Sequence, residues 1–228
     1  MARAALLDVD GTLIDANYQH ALAWYRAFRR FEIVLPVWRL HRHIGMGGDQ
    51  FVAAVAGDDV EELHGDDLRD AHSEEFEQMR DECEPLEGAA ELLRELKRRD
   101  FSVVLASSSN EDDLEFFVGK LRAEDCIDAW TSKDDVERTK PHPDPIEAAL
   151  EKAGTDVGVM VGDSRWDVEA AARAKLQTIC VITGGWSEQE LRDHGAATVF
   201  DSLTDLIEHL DETPLGRRPG TMSSARWR

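Results

Sequence analysis

Lysine is scarce in this chain. Only six of the 26 basic residues are lysine, and none lies between residues 15 and 85. Cysteine is scarce too: Cys83, Cys126 and Cys180 are widely separated, odd in number and show no CxxC or Cys/His metal spacing. That excludes a disulfide framework and makes incidental thiols in a reducing cytosol the expectation. No run of about 18 apolar residues is present to cross a membrane, and no apolar leader precedes the first carboxylates, so a soluble, cytoplasmic chain is expected. Positive charge is in deficit, with 47 acidic residues and a formal charge of -21. Nucleic acid is therefore excluded as a partner, because phosphate backbones are bound through Lys and Arg patches. The acidity fits either a high-salt cytoplasm, where repulsion is screened, or simply an acidic surface.

With hydrophobic residues at 42% and charged residues at 32% over 228 positions, the composition is that of a globular chain with an ample core. One stretch organises it. Residues 5–7 are apolar, then come Asp8-Val9-Asp10-Gly11-Thr12-Leu13, the pattern of a buried strand ending at a polar loop. Taken alone, the pair Asp8 and Asp10 could be an acidic turn.

Residues 16–31 carry Tyr18, Leu22, Tyr25 and Phe28 at amphipathic helical spacing, with arginines in the last turns. Further helices are expected over 37–43, 50–56, 60–64 and 66–83. No alternating strand pattern appears before Pro85, so residues 16–84 read as an all-helical insertion. From Gly88 onward helix and strand alternate. Helices are expected over 89–99, 112–120, 145–153, 167–175 and 203–210, and strands over 101–106, 127–130, 157–161 and 178–182. Such alternation implies a parallel sheet with right-handed crossovers. The expected architecture is α/β: a three-layer Rossmann-like core from residues 1–15 and 85–212, an inserted helical cap over 16–84, and a mobile tail over 213–228.

A parallel sheet places ligands at the carboxyl ends of its strands. There the sequence puts Asp8 and Asp10, then Ser107, then Lys140 before Pro141, and finally Asp163 and Asp167. Acids with one lysine and one hydroxyl make a plausible cation and phosphate site, since hard carboxylate oxygens hold the cation and donors hold phosphoryl oxygens. Individually each position has another use: Lys140 could be a solvated loop residue, serines 107–109 a helix cap, and Asp167 a helix-start acid.

In order, Asp8-Val9-Asp10-Gly11-Thr12, Ser107, Lys140-Pro141 and Gly162-Asp163-Ser164-Arg165-Trp166-Asp167 resemble the four motifs of the haloacid dehalogenase superfamily, in its phosphoglycolate phosphatase-like branch. The resemblance covers roughly residues 4 to 210. It implies hydrolysis of a small phosphorylated metabolite with Mg²⁺ as cofactor. Asp8 would be the nucleophile, Asp10 the acid and base, and Lys140 and Ser107 the groups that stabilise transferring charge. Asp8, Asp163 and the backbone carbonyl of Asp10 would hold the cation, while Asp167 would steady Lys140 or the cation's waters. Gly11, Thr12 and Ser108 would line the phosphate cradle.

In the insertion, Gly45-Met46-Gly47-Gly48 lacks the preceding strand and the lysine of a P-loop. It reads as a hinge facing the site, with Gly47 near the phosphate. His20, His41 and His43 lack zinc spacing; His20 is a candidate substrate contact. A beta-phosphoglucomutase-like mutase and a non-catalytic, receiver-like phosphate-binding module remain alternatives. The insertion without lysine weighs against the first, and the second acid, Asp10, against the other. Sequence leaves the ester and the oligomeric state open.

Overall fold

The computed structural model describes residues 3–216. Its centre is a six-stranded sheet in the order β5-β4-β1-β6-β7-β8, with every neighbouring pair parallel. The strands are β1 (Arg3–Leu7), β4 (Phe101–Ala106), β5 (Ala129–Thr131), β6 (Gly158–Gly162), β7 (Gln177–Val181) and β8 (Thr198–Phe200). A short antiparallel ribbon, β2 (Ile14–Asp15) with β3 (Glu84–Pro85), flanks the point where the chain leaves and re-enters the sheet.

Alternation along the strands builds the layers. Ala5 and Leu7 of β1 join Val103, Leu105 and Val161 in one apolar cluster, while Ala4 and Leu6 join Val104 and Met160 in another on the opposite face. The first is covered by α5 (Ala89–Arg98), α6 (Glu111–Leu121) and α10 (Leu203–Glu208), and the second by α7 (Asp144–Ala153) and α8 (Arg165–Arg173). Side chains that alternate faces at a period of two thus give helix, sheet and helix. β1 pairs with β4 on one side and β6 on the other, so the strand order reverses beside the end of β1, where a crevice opens.

Between β2 and β3 lie four helices, α1 (Asn17–Arg30), α2 (Val37–His41), α3 (Gly48–Ala56) and α4 (Asp58–Glu77). They enclose their own core around Trp24, Phe28, Phe51 and Leu68. The break expected near residue 65 is absent. At Gly65 a Cβ would lie 2.5 Å from Glu61 Oε1 and 2.8 Å from Arg69 Nη2, so the glycine makes room for the Glu61–Arg69 pair on a continuous helix.

Four elements escaped the sequence reading: the two strands of the β2–β3 ribbon, β8 and α9 (Glu188–His194). All are short, and α9 buries only Leu191. The start of the presumed tail is also packed, since Thr213 and Leu215 are buried. The rest of that span, 217–228, lies outside the described residues. Among the described residues no helix is long and apolar enough to cross a membrane.

Candidate active site

The two polar strand ends at the reversal point carry the chemistry. β1 ends at Asp8, whose backbone N–H is anchored on the Val161 carbonyl at 2.9 Å. The following turn needs Gly11: its φ is +82°, and a Cβ there would lie 2.3 Å from Asn17 Nδ2 and 2.5 Å from Asp163 Oδ2. This close approach lets Thr12 Oγ1 donate to Asp163 Oδ1 at 3.0 Å and Asn17 Nδ2 donate to Asp163 Oδ2 at 2.9 Å. Thr12, expected to face phosphate, thus spends its hydroxyl on Asp163. Asn17, at the start of α1, had no motif to announce it.

Lys140 is fully buried. Its Nζ donates to Asp8 Oδ1 at 2.5 Å and to Asp167 Oδ1 at 2.7 Å. The other oxygen of Asp167 accepts from the Ser164 backbone N–H at 3.1 Å and hydroxyl at 2.6 Å. Asp167 therefore both caps α8 and pins Lys140. A loose surface lysine is ruled out at this position.

Asp10 is turned the other way. Ser109 Oγ donates to its Oδ2 at 2.6 Å, and His20 Nε2 stands 3.4 Å from its Oδ1. The cap of α6, open between Ser109 and Asn110 from sequence, is Asn110, which accepts from the Asp113 N–H at 2.8 Å. Ser107 is fully buried, and its Oγ accepts from the Ser109 N–H at 3.0 Å. It shapes the loop that presents Ser108 and Ser109 to the cleft. Ser108 Oγ and Asp10 Oδ1 are buried with no hydrogen-bond partner among the described residues, so each is available to a ligand.

The charges are unequal in environment. Burial pushes the Asp8 carboxyl up to about 7, against the pull of Lys140. Burial, with the negative charges of Asp167 and Asp8, pushes Asp163 well above the usual carboxylate range. At Asp10 burial acts upward too, yet the nearby His20 and the hydrogen bond from Ser109 outweigh it and hold the carboxyl low. Lys140 is raised despite its burial, by Asp167 and Asp8. Oxygens of Asp8, Asp163 and Asp167 lie within 4.8 Å of one another. Three buried carboxylates around one ammonium leave an excess of negative charge, and a hard divalent cation is what such oxygens accept. The side chain of Asp10 stands outside this group.

The helical insertion roofs the site. The cleft encloses about 230 Å³ between Asp8, Asp10 and the serines below and Trp24, Ile44, Met46 and His72 above. His20 stacks on Phe76 at 3.7 Å, and its Nδ1 is 3.2 Å from His72 Nε2. It touches Asp10 as well as lining the cleft. His41 stacks on Tyr18 and His43 on Trp166, so the histidines do not converge. The glycine loop lies on the backbone around Lys140: Gly47 N–H donates to the Lys140 carbonyl at 3.3 Å, and the Gly47 Cα is so close to Thr139 that a Cβ would overlap its hydroxyl. Gly47 itself does not line the cleft, whereas Gly45, Met46 and Gly48 do.

Enclosure pushes His72 well below the usual histidine value, with the charges of His20 and Lys133 adding to the effect. Its contribution to stability is therefore intact above about pH 6.5 and is lost as pH falls below that, because the unfolded chain then binds the proton that the folded chain refuses. Between pH 7.5 and 5.5 the native chain is expected to lose more denaturation free energy than His72→Gln. Equal losses in urea titrations would show that His72 is not held neutral.

Residues 2–175 match the haloacid dehalogenase-like hydrolase family. Pyrophosphatase PpaX of Bacillus cereus (strain B4264) is 28% identical over 212 residues, covering 89% of this chain and 93% of that protein. A hydrolase from Pseudomonas syringae superposes with a TM-score of 0.87 at 32% identity, over 92% of this chain and 98% of the other. CbbY from Rhodobacter sphaeroides, solved in complex with phosphate, shares the fold with a TM-score of 0.72 at 24% identity, covering 90% and 96%. The parallel sheet, the four ordered strand-end motifs and similarity over about nine-tenths of the chain together establish that the chain belongs to the haloacid dehalogenase-like hydrolases.

Proposed function

We propose that the chain is a cytoplasmic, Mg²⁺-dependent phosphatase that hydrolyses the monoester of a small metabolite through a phosphoryl group carried on Asp8. The observation that carries this reading is the fully buried Lys140 ammonium bonded to both Asp8 and Asp167 beside Asp163. Such an arrangement is costly unless an anion and a cation complete it.

Asp8 attacks phosphorus, the ester oxygen leaves as the alcohol, and a water then displaces Asp8 to give inorganic phosphate. Lys140 favours the ionised form of Asp8 and aims it, and it faces the charge that spreads over the transferring oxygens. Asp10 protonates the leaving oxygen and takes the proton of the attacking water. Its low setting favours the carboxylate that the second step needs, and the adjacent His20 can return the proton for the first. Ser108 offers its unpartnered hydroxyl to a phosphoryl oxygen. Asp8 and Asp163, with Asp167 behind them and the Asp10 carbonyl, would hold the cation, which when bound neutralises phosphoryl charge. The insertion acts as a cap that excludes water and chooses the ester.

Phosphate release from an aryl phosphate is expected to fall by at least about 10²-fold in chelator and to return with Mg²⁺, since the carboxylate excess is then uncompensated. Undiminished release in chelator would remove the cation from this reading.

A further inference from the structure

Resting on the hydrolytic reading above, we propose that the substrate is the monophosphate of a small alcohol whose far end bears hydrogen-bond donors, hydroxyl or ammonium, and no second acidic group. The cleft is built for one anion, at the Asp8 end. A second anion would need a free cation enclosed under the cap, and the two enclosed there, Lys140 and Arg69, are already matched.

Arg69 on α4 is the one arginine lining the cleft. Its Nη1 donates to both oxygens of Glu61, at 2.9 and 3.1 Å, and to the Gly48 carbonyl at 3.1 Å. Its Nη2 donates to Asp66 at 2.8 Å. Gly65 leaves the space in which Glu61 meets it, so two carboxylates meet the guanidinium and its charge is spent inside the cap. Lys140 is held by Asp8 and Asp167.

The outer wall is acidic. Lys133 is exposed at the rim, and Asp134 and Glu137 line the same wall. No ion pair or side-chain hydrogen bond engages these two carboxylates among the described residues. Asp49 and Asp113 also line the cleft but are committed, Asp49 to Thr139 and Asp113 to Arg80 at 3.0 Å. One solvated lysine thus stands against two unpaired carboxylates, on a chain of net charge -21. That field opposes a leaving group with its own acid and favours donors.

Size points the same way. Trp24, Ile44 and Met46 give an apolar wall for a short carbon skeleton, and about 230 Å³ is below the roughly 300–1,000 Å³ typical of sites for larger ligands.

Ethanolamine phosphate and phosphoglycolate are close in size and opposite in terminal charge, which makes them the decisive pair. With Mg²⁺, kcat/KM for ethanolamine phosphate and for glycerol phosphate is expected to exceed that for phosphoglycolate and for pyrophosphate by at least about tenfold. Asp134→Lys combined with Glu137→Lys, both at exposed positions, is expected to shrink the preference to within about threefold, and added salt to weaken it. Phosphoglycolate or pyrophosphate turned over as well as the donor-bearing esters would overturn the inference. So would hydrolysis of an aryl phosphate with neither donor-bearing ester used, or a preference untouched by the double substitution. Failure to release phosphate even from the aryl ester would instead bring down the hydrolytic reading, and this inference with it.

Discussion

Asp8→Asn is expected to fold as the native chain does and to lose turnover by at least about 10³-fold, the order of loss seen when a nucleophile is removed. The amide keeps the shape of the side chain and can still accept from Lys140 Nζ, which stands 2.5 Å from Asp8 Oδ1. It cannot attack phosphorus. Stability should separate the two effects. Asp8, Asp163 and Asp167 are crowded around a single buried ammonium, and burial already drives Asp8 up to about 7. Removing one of these charges lessens their repulsion, so in chelator the melting temperature of Asp8→Asn should equal or exceed the native value. Because an oxygen ligand is lost, the rise on adding Mg²⁺ should be smaller than for the native chain. A variant that melts well below the native chain would make its inactivity uninformative, and one that retains turnover would sink the nucleophile assignment.

Lys140→Met is expected to act on activity and on stability together. Removing a preorganised donor from developing charge costs on the order of 10²–10³ in kcat. Leaving Asp8 and Asp167 buried without their cation costs about 3–5 kcal/mol. The sign with pH follows from the carboxylates. Without Lys140 the folded value of Asp8, already pushed up to about 7, rises further above the unfolded one, so the folded chain takes up a proton there, and the stability deficit widens as pH rises and narrows as pH falls. Urea denaturation in chelator at pH 6 and pH 8 reads this directly, and a deficit independent of pH would contradict the arrangement. Lys140→Arg should not restore activity. The ammonium is fully enclosed, and the larger planar guanidinium cannot occupy a point-charge site without displacing Asp8 or Asp167.

These two residues were legible in the sequence for a physical reason. Each leaves a hydrophobic strand or follows one at a fixed place in an alternating pattern, and a parallel sheet brings all such places to one edge. Asp163 and Asp167 were legible on the same grounds, and Asp167's two readings, cap of α8 and support for Lys140, are one arrangement with an oxygen for each.

What could not be seen depends on contacts across the chain. Asn17 and Thr12 meet Asp163 from about 150 residues away, and neither sits at a strand end of its own. Among Ser107, Ser108 and Ser109 the sequence cannot say which hydroxyl turns inward. The loop geometry sends Ser109 to Asp10 and encloses Ser107. His72 lies on a helix whose polar surface hides it, and only packing against Trp24 and His20 brings it to the cleft. Gly65 read as a break because glycine weakens helices; the Glu61–Arg69 pair across it explains why it persists inside one.

The claim on which everything else rests is that phosphorus passes through Asp8. The stereochemical course at phosphorus tests it without needing the intermediate to accumulate. With an ester made chiral by oxygen isotopes and sulfur, two successive in-line displacements, first by Asp8 and then by water, give net retention. Retention is the result expected of this chain, and inversion, the mark of a single direct attack by water, would contradict it.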